Sequence, residues 1–152
     1  MRRVFNIVVV VLVIFLVLIQ FVPYGRVHAN PPVVQEPKWD SPQTRELAKR
    51  ACFDCHSNET TWPWYSNIAP ISWWVQDHVN GARTMLNFSE WQREQTIDEI
   101  PNIILSGEMP LFYYTLMHPG ARLTPAEKEA LTQGLITTTS ATGGAGSEGG
   151  GG

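Results

Sequence analysis

The sequence contains only two cysteines and no long alternation of apolar and polar residues. Cys52 and Cys55 carry the only thiols in 152 residues. A structural zinc site takes four ligands, so one built from cysteines alone is excluded. No stretch alternates apolar and polar residues with period two for long enough to indicate a sheet. We therefore predict an all-α fold, with one domain at most in addition to tails.

Charged residues are absent between Val4 and Val22, where nearly every residue is apolar. About 20 residues of helix cross the hydrocarbon core of a bilayer. Arg2 and Arg3 precede this run, and positive charges of this kind stay on the cytoplasmic side. We predict that residues 1–23 form a single-pass anchor in a bacterial cytoplasmic membrane, with the following domain on its periplasmic side.

A cleaved signal peptide is the alternative interpretation of the same run. Residues 27–29 read VHA, an acceptable small-residue cleavage pattern. Cleavage after Ala29 would release the domain into the periplasm. The apolar run exceeds the roughly 7–15 residues of a usual signal core, which favours an uncleaved anchor. Both alternatives place the domain outside the cytoplasm.

Composition divides the rest of the chain into three parts. Residues 24–37 are rich in proline, and we predict an extended spacer there. Residues 137–152 are mostly Gly, Ser and Thr, which predicts a disordered tail. The functional domain is therefore expected over residues 38–136. From Asn30 onward the chain holds eight basic and 14 acidic residues. This acidity argues against a nucleic acid partner.

Capping patterns predict four helices. A Ser, Thr or Asp before a helix, with Pro at its first position, marks a helix start. The predicted helices begin after Ser41, at Pro70, at Glu90 with Ser89 as cap, and after Thr124; the second should end near Gly81 and the last near Gly134. Pro101 should kink or split the third.

The chemistry of the chain is concentrated in ACFDCH, residues 51–56. A disulfide across two intervening residues closes a tiny loop and leaves His56 unexplained. Zinc would need Cys52, Cys55, His56 and a further histidine such as His78. A thioredoxin-like dithiol expects a βαβ pattern, which the chain lacks.

A covalent haem accounts for every residue of this motif. In CxxCH the two thiols bind the vinyl groups of haem and the adjacent histidine ligates the iron. Two cysteines at i and i+3 match the separation of the two vinyls. We therefore predict one haem c, bound by Cys52 and Cys55, with His56 as an axial ligand.

The second axial ligand is expected from a methionine or a histidine. Met109 lies in SGEMPLF, a loop between two predicted helical segments, with Pro110 fixing the backbone after it. We predict Met109 as this ligand and keep His118 as the fallback. Met85 follows a predicted helix end and is a further candidate, whereas Met117 is more simply a packing residue.

Two resemblances extend this interpretation. CxxCH followed by GEMPLF is similar to the class I cytochrome c pattern. The segments CFDCHSNETTWPWYSNIAPISWW, HVNGARTMLNFSEW and SGEMPLFYYTLMHPGARLT together resemble the bacterial haem-binding domain family. That resemblance implies a helical, exported, monohaem c-type domain, often tethered to a membrane. It assigns the covalent bonds to Cys52 and Cys55, and the iron to His56 and Met109.

Further residues are expected around the haem. In the class I pattern a proline carbonyl after the CxxCH loop accepts the Nδ1–H of the axial histidine, and Pro70 resembles that position, with Pro63 as its rival. Trp62 and Trp64 are expected to wall the haem, and either could donate its indole N–H to a propionate.

We expect an electron carrier and not an enzyme. A Met ligand and an apolar wall raise the potential of a haem. The alternatives are a haem-based ligand or redox sensor with a displaceable methionine, and a peroxidase-like enzyme with an open iron site. The sequence does not name the redox partners.

Overall fold

The computed structural model describes residues 1–95 and 97–142, the last of them by its backbone alone. In this part of the chain the regular structure is helical, apart from one isolated bridge between Gln35 and Glu90. The helices are α1 (Arg2–Leu18), α2 (Pro42–Ala51), α3 (Phe53–His56), α4 (Ile71–Met85), α5 (Ile100–Ser106), α6 (Phe112–Met117) and α7 (Pro125–Thr142). Single 3-10 turns cover Ile19–Phe21, Trp64–Asn67 and Pro119–Ala121. The prediction of an all-α fold is confirmed.

The chain divides into two compact units. The first consists of residues 1–29 and 61–81, and the second of residues 30–60 with the described residues from 82 onward. The helix α4 begins in the first unit and ends in the second.

The first unit begins with the apolar helix. Helical structure runs from Arg2 to Phe21, 20 residues whose most apolar stretch of 18 has a mean hydropathy of 3.1, which is long and apolar enough to cross a membrane. A signal sequence near the N-terminus can pass the same test of length and composition, so both interpretations stay open. The exposed surface of this helix is almost entirely apolar, because none of the residues from Val4 to Val22 is charged.

The segment after this helix packs against the start of α4. The side-chain amide of Gln20 donates to the carbonyl of Ala69 (2.9 Å) and accepts from its N–H (3.0 Å). Gly25 has a positive φ of 75°, and a Cβ there would overlap the carbonyl of Ser72. Tyr24 donates a hydrogen bond to Asp77. These contacts differ from the extended spacer predicted from residue 24 onward, because packing against α4 outweighs the local preference of the chain.

The second unit has its own core. Helix α7 packs against α2 and α5. The buried side chains are Leu47, Ala48, Phe53, Leu86, Phe88, Ile104, Leu131 and Leu135. Local capping bonds start two of these helices. At α2, Ser41 accepts from the Thr44 N–H (3.2 Å). At α7, Thr124 and Glu127 cap each other's N–H groups reciprocally. The predicted starts of α2, α4 and α7 are confirmed.

The proline-rich residues 30–36 lie largely exposed on the second unit but are hydrogen-bonded to its loops. The N–H groups of Val34 and Gln35 donate to the carbonyl of Ser89 (2.9 and 3.0 Å). The N–H of Trp91 returns a bond to Gln35 (3.0 Å), and Asn58 donates to the carbonyl of Pro32. Proline-rich backbone cannot bond to itself, so neighbouring loops supply its partners.

The helix predicted from Glu90 is wrong. Ser89 is fully buried, and its hydroxyl accepts from the N–H of Asn58 (2.9 Å) instead of capping a helix. The next helix is α5, which begins at Ile100 with Pro101 in its first turn. Pro101 therefore starts a helix, as proline does well, and kinks none.

Two helices run further than predicted. Helix α4 continues past Gly81 to Met85, and α7 passes Gly134 and ends at Thr142. A glycine inside a helix costs only about 1 kcal/mol, which tertiary contacts can offset. Thr138, predicted as part of the disordered tail, is fully buried and accepts from the Asp40 N–H (3.0 Å). The remainder of that tail, residues 143–152, lies outside the described residues.

Candidate functional site

One short helical turn carries the thiols and the imidazole. The N–H of Cys52 still donates to α2, at the carbonyl of Ala48 (2.8 Å). The N–H groups of Cys55 and His56 in turn donate to the carbonyl of Cys52 (3.1 and 2.8 Å). Phe53, between the cysteines, is buried in the core of the second unit. Phe53 therefore anchors to the core the turn that presents Cys52, Cys55 and His56.

The ring of His56 is oriented by a backbone carbonyl. Its Nδ1 lies 3.1 Å from the carbonyl oxygen of Leu86. A carbonyl can only accept, so Nδ1 carries the hydrogen and the neutral ring keeps the lone pair on Nε2. Burial lowers the pKa of His56, and the carbonyls of Leu86 and Ala82 oppose that shift. The partner predicted for this nitrogen, the carbonyl of Pro70, is wrong.

A strip of loop, residues 86–89, lies along residues 56–58 and holds this geometry. The N–H of Phe88 donates to the carbonyl of His56 (2.8 Å). The side-chain amide of Asn87 donates to Asn58 (2.9 Å), whose own N–H is bound by Ser89. All four side chains of the strip are buried. Sequence reasoning missed this function of the strip, because Ser89 resembled a helix cap.

The two cysteines are free thiols in a protonating environment. No disulfide joins Cys52 and Cys55. Burial, with a smaller effect of the neighbouring thiol, raises the pKa of Cys52 to about 12. Burial and the charge of Asp54 raise the pKa of Cys55 to about 11, against an opposing effect of Arg83. Burial therefore favours the protonated form of both thiols.

The zinc interpretation receives no geometric support. Within residues 1–95 and 97–142, no three His, Cys, Asp or Glu side chains come together in a way that could hold a metal ion.

Arg83 binds the loop that follows the motif, residues 57–60, and the sequence did not predict this contact. Its guanidinium donates to the carbonyl of Ser57 (2.8 Å) and to the hydroxyl of Thr60 (2.9 Å). Thr60 also donates to the carbonyl of Asp54 (2.8 Å). Burial lowers the pKa of Arg83. An arginine two residues after a helical glycine gives no sequence signal of this function.

Helix α6 is tied directly to the cysteine motif. The hydroxyl of Tyr114 donates to the carboxylate of Asp54, the residue before Cys55, at 2.7 Å. Burial, followed by the charge of Cys55, raises the pKa of Tyr113. Both tyrosines thus place α6 beside α3.

The two candidates for the second axial ligand, Met109 and His118, lie at opposite ends of α6. Met109 precedes the helix in the loop from α5, and its N–H donates to the carbonyl of Ile103 (3.2 Å). Gly107, with φ of 84°, ends α5 and turns the chain towards this loop. His118 follows α6 directly, and its ring stacks on Tyr114 with centroids 4.4 Å apart. Both side chains are half-buried.

The remaining predicted residues belong to the first unit. Trp62 stacks on His28 with centroids 4.6 Å apart. Trp64 is 72% exposed. The carbonyl of Pro70 accepts from the N–H groups of Trp73 and Trp74 (3.1 and 3.3 Å), so Pro70 begins α4. Their predicted positions around a haem stay a prediction.

The donor set of the second unit fits a haem. An imidazole whose Nδ1–H is fixed by a carbonyl offers Nε2 to a metal. Two protonated thiols on the same turn, separated by two residues, provide two sites for thioether bonds. These features follow from the contacts of Cys52, Cys55 and His56 described above.

Comparison with known proteins agrees with this chemistry. Residues 14–136 match the family described as haem-binding domain. Neither the curated proteins nor the solved structures gave a match. The matched region includes α3 with His56, both candidates for the second axial ligand (Met109 and His118), and the end of α1. The chain therefore belongs to the haem-binding domain family.

Proposed function

We propose that the domain is a monohaem c-type cytochrome in which Cys52 and Cys55 hold the haem by thioether bonds and His56 ligates the iron. The observation that carries this proposal is the hydrogen bond from His56 Nδ1 to the Leu86 carbonyl. That bond fixes the tautomer that leaves Nε2 for a metal, and it lies beside two protonated thiols. Family membership supports the haem itself.

Met109 is the second axial ligand in this proposal. Its loop joins α6, and α6 is held at α3 by the bond between Tyr114 and Asp54. The N–H of Met109 is already bonded to Ile103, so its backbone position is set while its thioether side chain keeps its rotamer freedom. The ring of His118 is stacked on Tyr114, which favours Met109 over this fallback.

The proposed activity is single-electron transfer outside the cytoplasm, by a class I cytochrome c-like domain. The bound haem supplies a one-electron couple between ferric and ferrous iron. A thioether ligand raises the potential of that couple, and the buried aromatic side chain of Phe53 beside the motif disfavours additional charge. We propose that α1 is retained as a membrane anchor, so that the domain meets its redox partners at the periplasmic surface of the membrane.

Spectroscopy of the haem-loaded full chain tests the ligation. Wild-type protein should show a sulfur-to-iron charge-transfer band when oxidised and should not bind carbon monoxide when reduced. Met109→Ala should lose the band, bind carbon monoxide and show a lower midpoint potential. Met85→Ala is the matched control, because Met85 is 64% exposed at the end of α4, and it should behave as wild type.

The same measurements separate the alternatives. A wild-type protein that binds carbon monoxide without any substitution would contradict the carrier and support a ligand sensor. Absence of the charge-transfer band from wild-type protein, with carbon monoxide binding gained in His118→Ala and not in Met109→Ala, would move the axial ligand to His118. Rapid turnover of hydrogen peroxide by wild-type protein would indicate a peroxidase.

A further inference from the structure

The first unit exposes an uncharged surface rich in aromatic residues. Residues 61–76 contain no Lys, Arg, Asp or Glu, and they include four of the six tryptophans of the chain. Four large apolar side chains stand out to solvent there: Trp64 (72% exposed), Ile68 (43%), Ile71 (43%) and Trp74 (46%). We call these four residues the aromatic patch.

Helical spacing puts most of this patch on one side. Ile71 and Trp74 are three residues apart in α4 and are therefore neighbours on one side of that helix. Ile68 lies just before the helix, in extended backbone that follows the 3-10 turn. Ser72 and Val79, on the other side of α4, are buried. The first unit therefore has a buried side facing its own chain and an apolar side facing outward.

The position of Gln20 sets the level of this surface relative to a membrane. A helix of 20 residues is about 30 Å long, the thickness of the hydrocarbon core. Gln20 is the penultimate residue of the helical run from Arg2 to Phe21, so it lies at the boundary of the core if α1 spans the bilayer. Its side chain makes two hydrogen bonds to the backbone of Ala69. Ala69, with Ile68 beside it, then lies at the same boundary.

Further contacts fix this arrangement. Gly25 approaches the Ser72 carbonyl too closely to allow any side chain, and Tyr24 is bonded to Asp77. Asp77 is the first charged residue after position 60. The match to the family begins at residue 14, inside α1, and so includes Gln20, Tyr24 and Gly25. Cleavage after Ala29 would remove every one of these contacts.

We propose that the aromatic patch rests in the headgroup region of the outer leaflet, beside the point where α1 leaves the membrane. Tryptophan is enriched at this depth because its ring is apolar and its N–H is polar. The patch carries no charge, so its partner is the lipid interface in general and not an anionic headgroup. The proposal rests on the retained anchor proposed above. It gives the first unit a fixed contact with the membrane beside α1.

Lipid photocrosslinking of the full haem-loaded chain tests this proposal. The protein is placed in nanodiscs of phosphatidylcholine, a fraction of which carries a diazirine near the headgroup, and adducts are located by mass spectrometry. We expect adducts in residues 64–74 as well as in α1. Ile68→Asp should lose the adducts in residues 64–74. Asn80→Asp, which adds the same charge at an exposed position of α4 in the first unit, should keep them.

The results distinguish failure of the membrane anchor from failure of the membrane contact of the aromatic patch. Adducts in α1 alone would contradict the membrane contact of the aromatic patch while leaving the anchor intact. Absence of adducts from α1 would contradict the membrane anchor, and with it the membrane contact of the aromatic patch. Loss of the adducts at 1 M salt would also contradict the proposal, because an uncharged patch has no ionic attraction to screen.

Discussion

The Nδ1 of His56 lies 3.1 Å from the carbonyl oxygen of Leu86, 30 residues further along the chain. This one contact joins the cysteine motif to a buried strip of loop, residues 86–89. It assigns the tautomer of the imidazole, and thus the nitrogen that can bind a metal. The site is built from a local motif and a distant backbone group, and both are needed to orient the ring.

Removing the hydroxyl of Ser89 should weaken this strip. Ser89→Ala leaves the N–H of Asn58 without its acceptor in a fully buried position, which costs about 1–3 kcal/mol of unfolding free energy. Urea denaturation of both proteins measures the difference. Ser106→Ala is the control, since Ser106 is exposed and should change stability by no more than about 0.5 kcal/mol. Equal stability of the two variants would contradict the assigned function of the strip.

Helix α7 should tolerate no side chain at Gly134. A Cβ there would overlap the side chain of Thr44 where α2 and α7 pack, and overpacking costs about 1–3 kcal/mol. Gly134→Ala should therefore lower the thermal midpoint. Gly81→Ala is the matched control, because Gly81 is also helical but has no atom within 4 Å of a Cβ. That variant should be neutral or stabilising by about 1 kcal/mol. A Gly134→Ala protein more stable than wild type would contradict the close packing.

Acid should weaken the cap of α7 through Glu127. The N–H of Thr124, then Arg50 and the Thr124 side chain, lower the pKa of Glu127 to about 2, from an ordinary value of 4.5. A lowered folded-state pKa means that this stabilisation is complete above pH 4.5 and is lost as the pH falls towards 2. Glu127→Gln should flatten the stability curve in this window, as measured by urea denaturation at stepped pH.

The control for this prediction removes a charge from the same helix. Glu129→Gln keeps the bonds from Thr124 and Arg50 to Glu127, so it should retain the acid-dependent loss of stability. If Glu127→Gln and Glu129→Gln gave the same curve, the capping bonds would have no measurable linkage to pH.

Helix starts could be predicted from the sequence because their causes are local. Ser41 and Thr124 cap the helices that follow them within three residues. Helix ends and the spacer were predicted less well, since their causes are distant. Thr138 extends α7 through its contact with Asp40, 98 residues away. Gly25 is held by α4, which the proline content of residues 24–37 does not reveal.

The cysteine motif was visible in the sequence, and its surroundings were not. Cys52, Cys55 and His56 are contiguous, so their spacing alone predicts their chemistry. The orienting carbonyl of Leu86 has no side-chain signature, because every residue carries a carbonyl. The bond between Tyr114 and Asp54 spans 60 residues and depends on how α6 packs. The type of site could therefore be predicted, while the residues that hold it required the structure.

The central claim is that Cys52 and Cys55 hold a haem covalently, and the intact mass of the protein tests it most directly. The full chain is produced with a c-type maturation system, denatured, extracted with acidic acetone and weighed by mass spectrometry. We predict that the polypeptide keeps the mass of one haem, and that Cys52→Ser combined with Cys55→Ser loses it to the solvent. A wild-type chain that leaves the extraction colourless, with the mass of the polypeptide alone, would contradict the account.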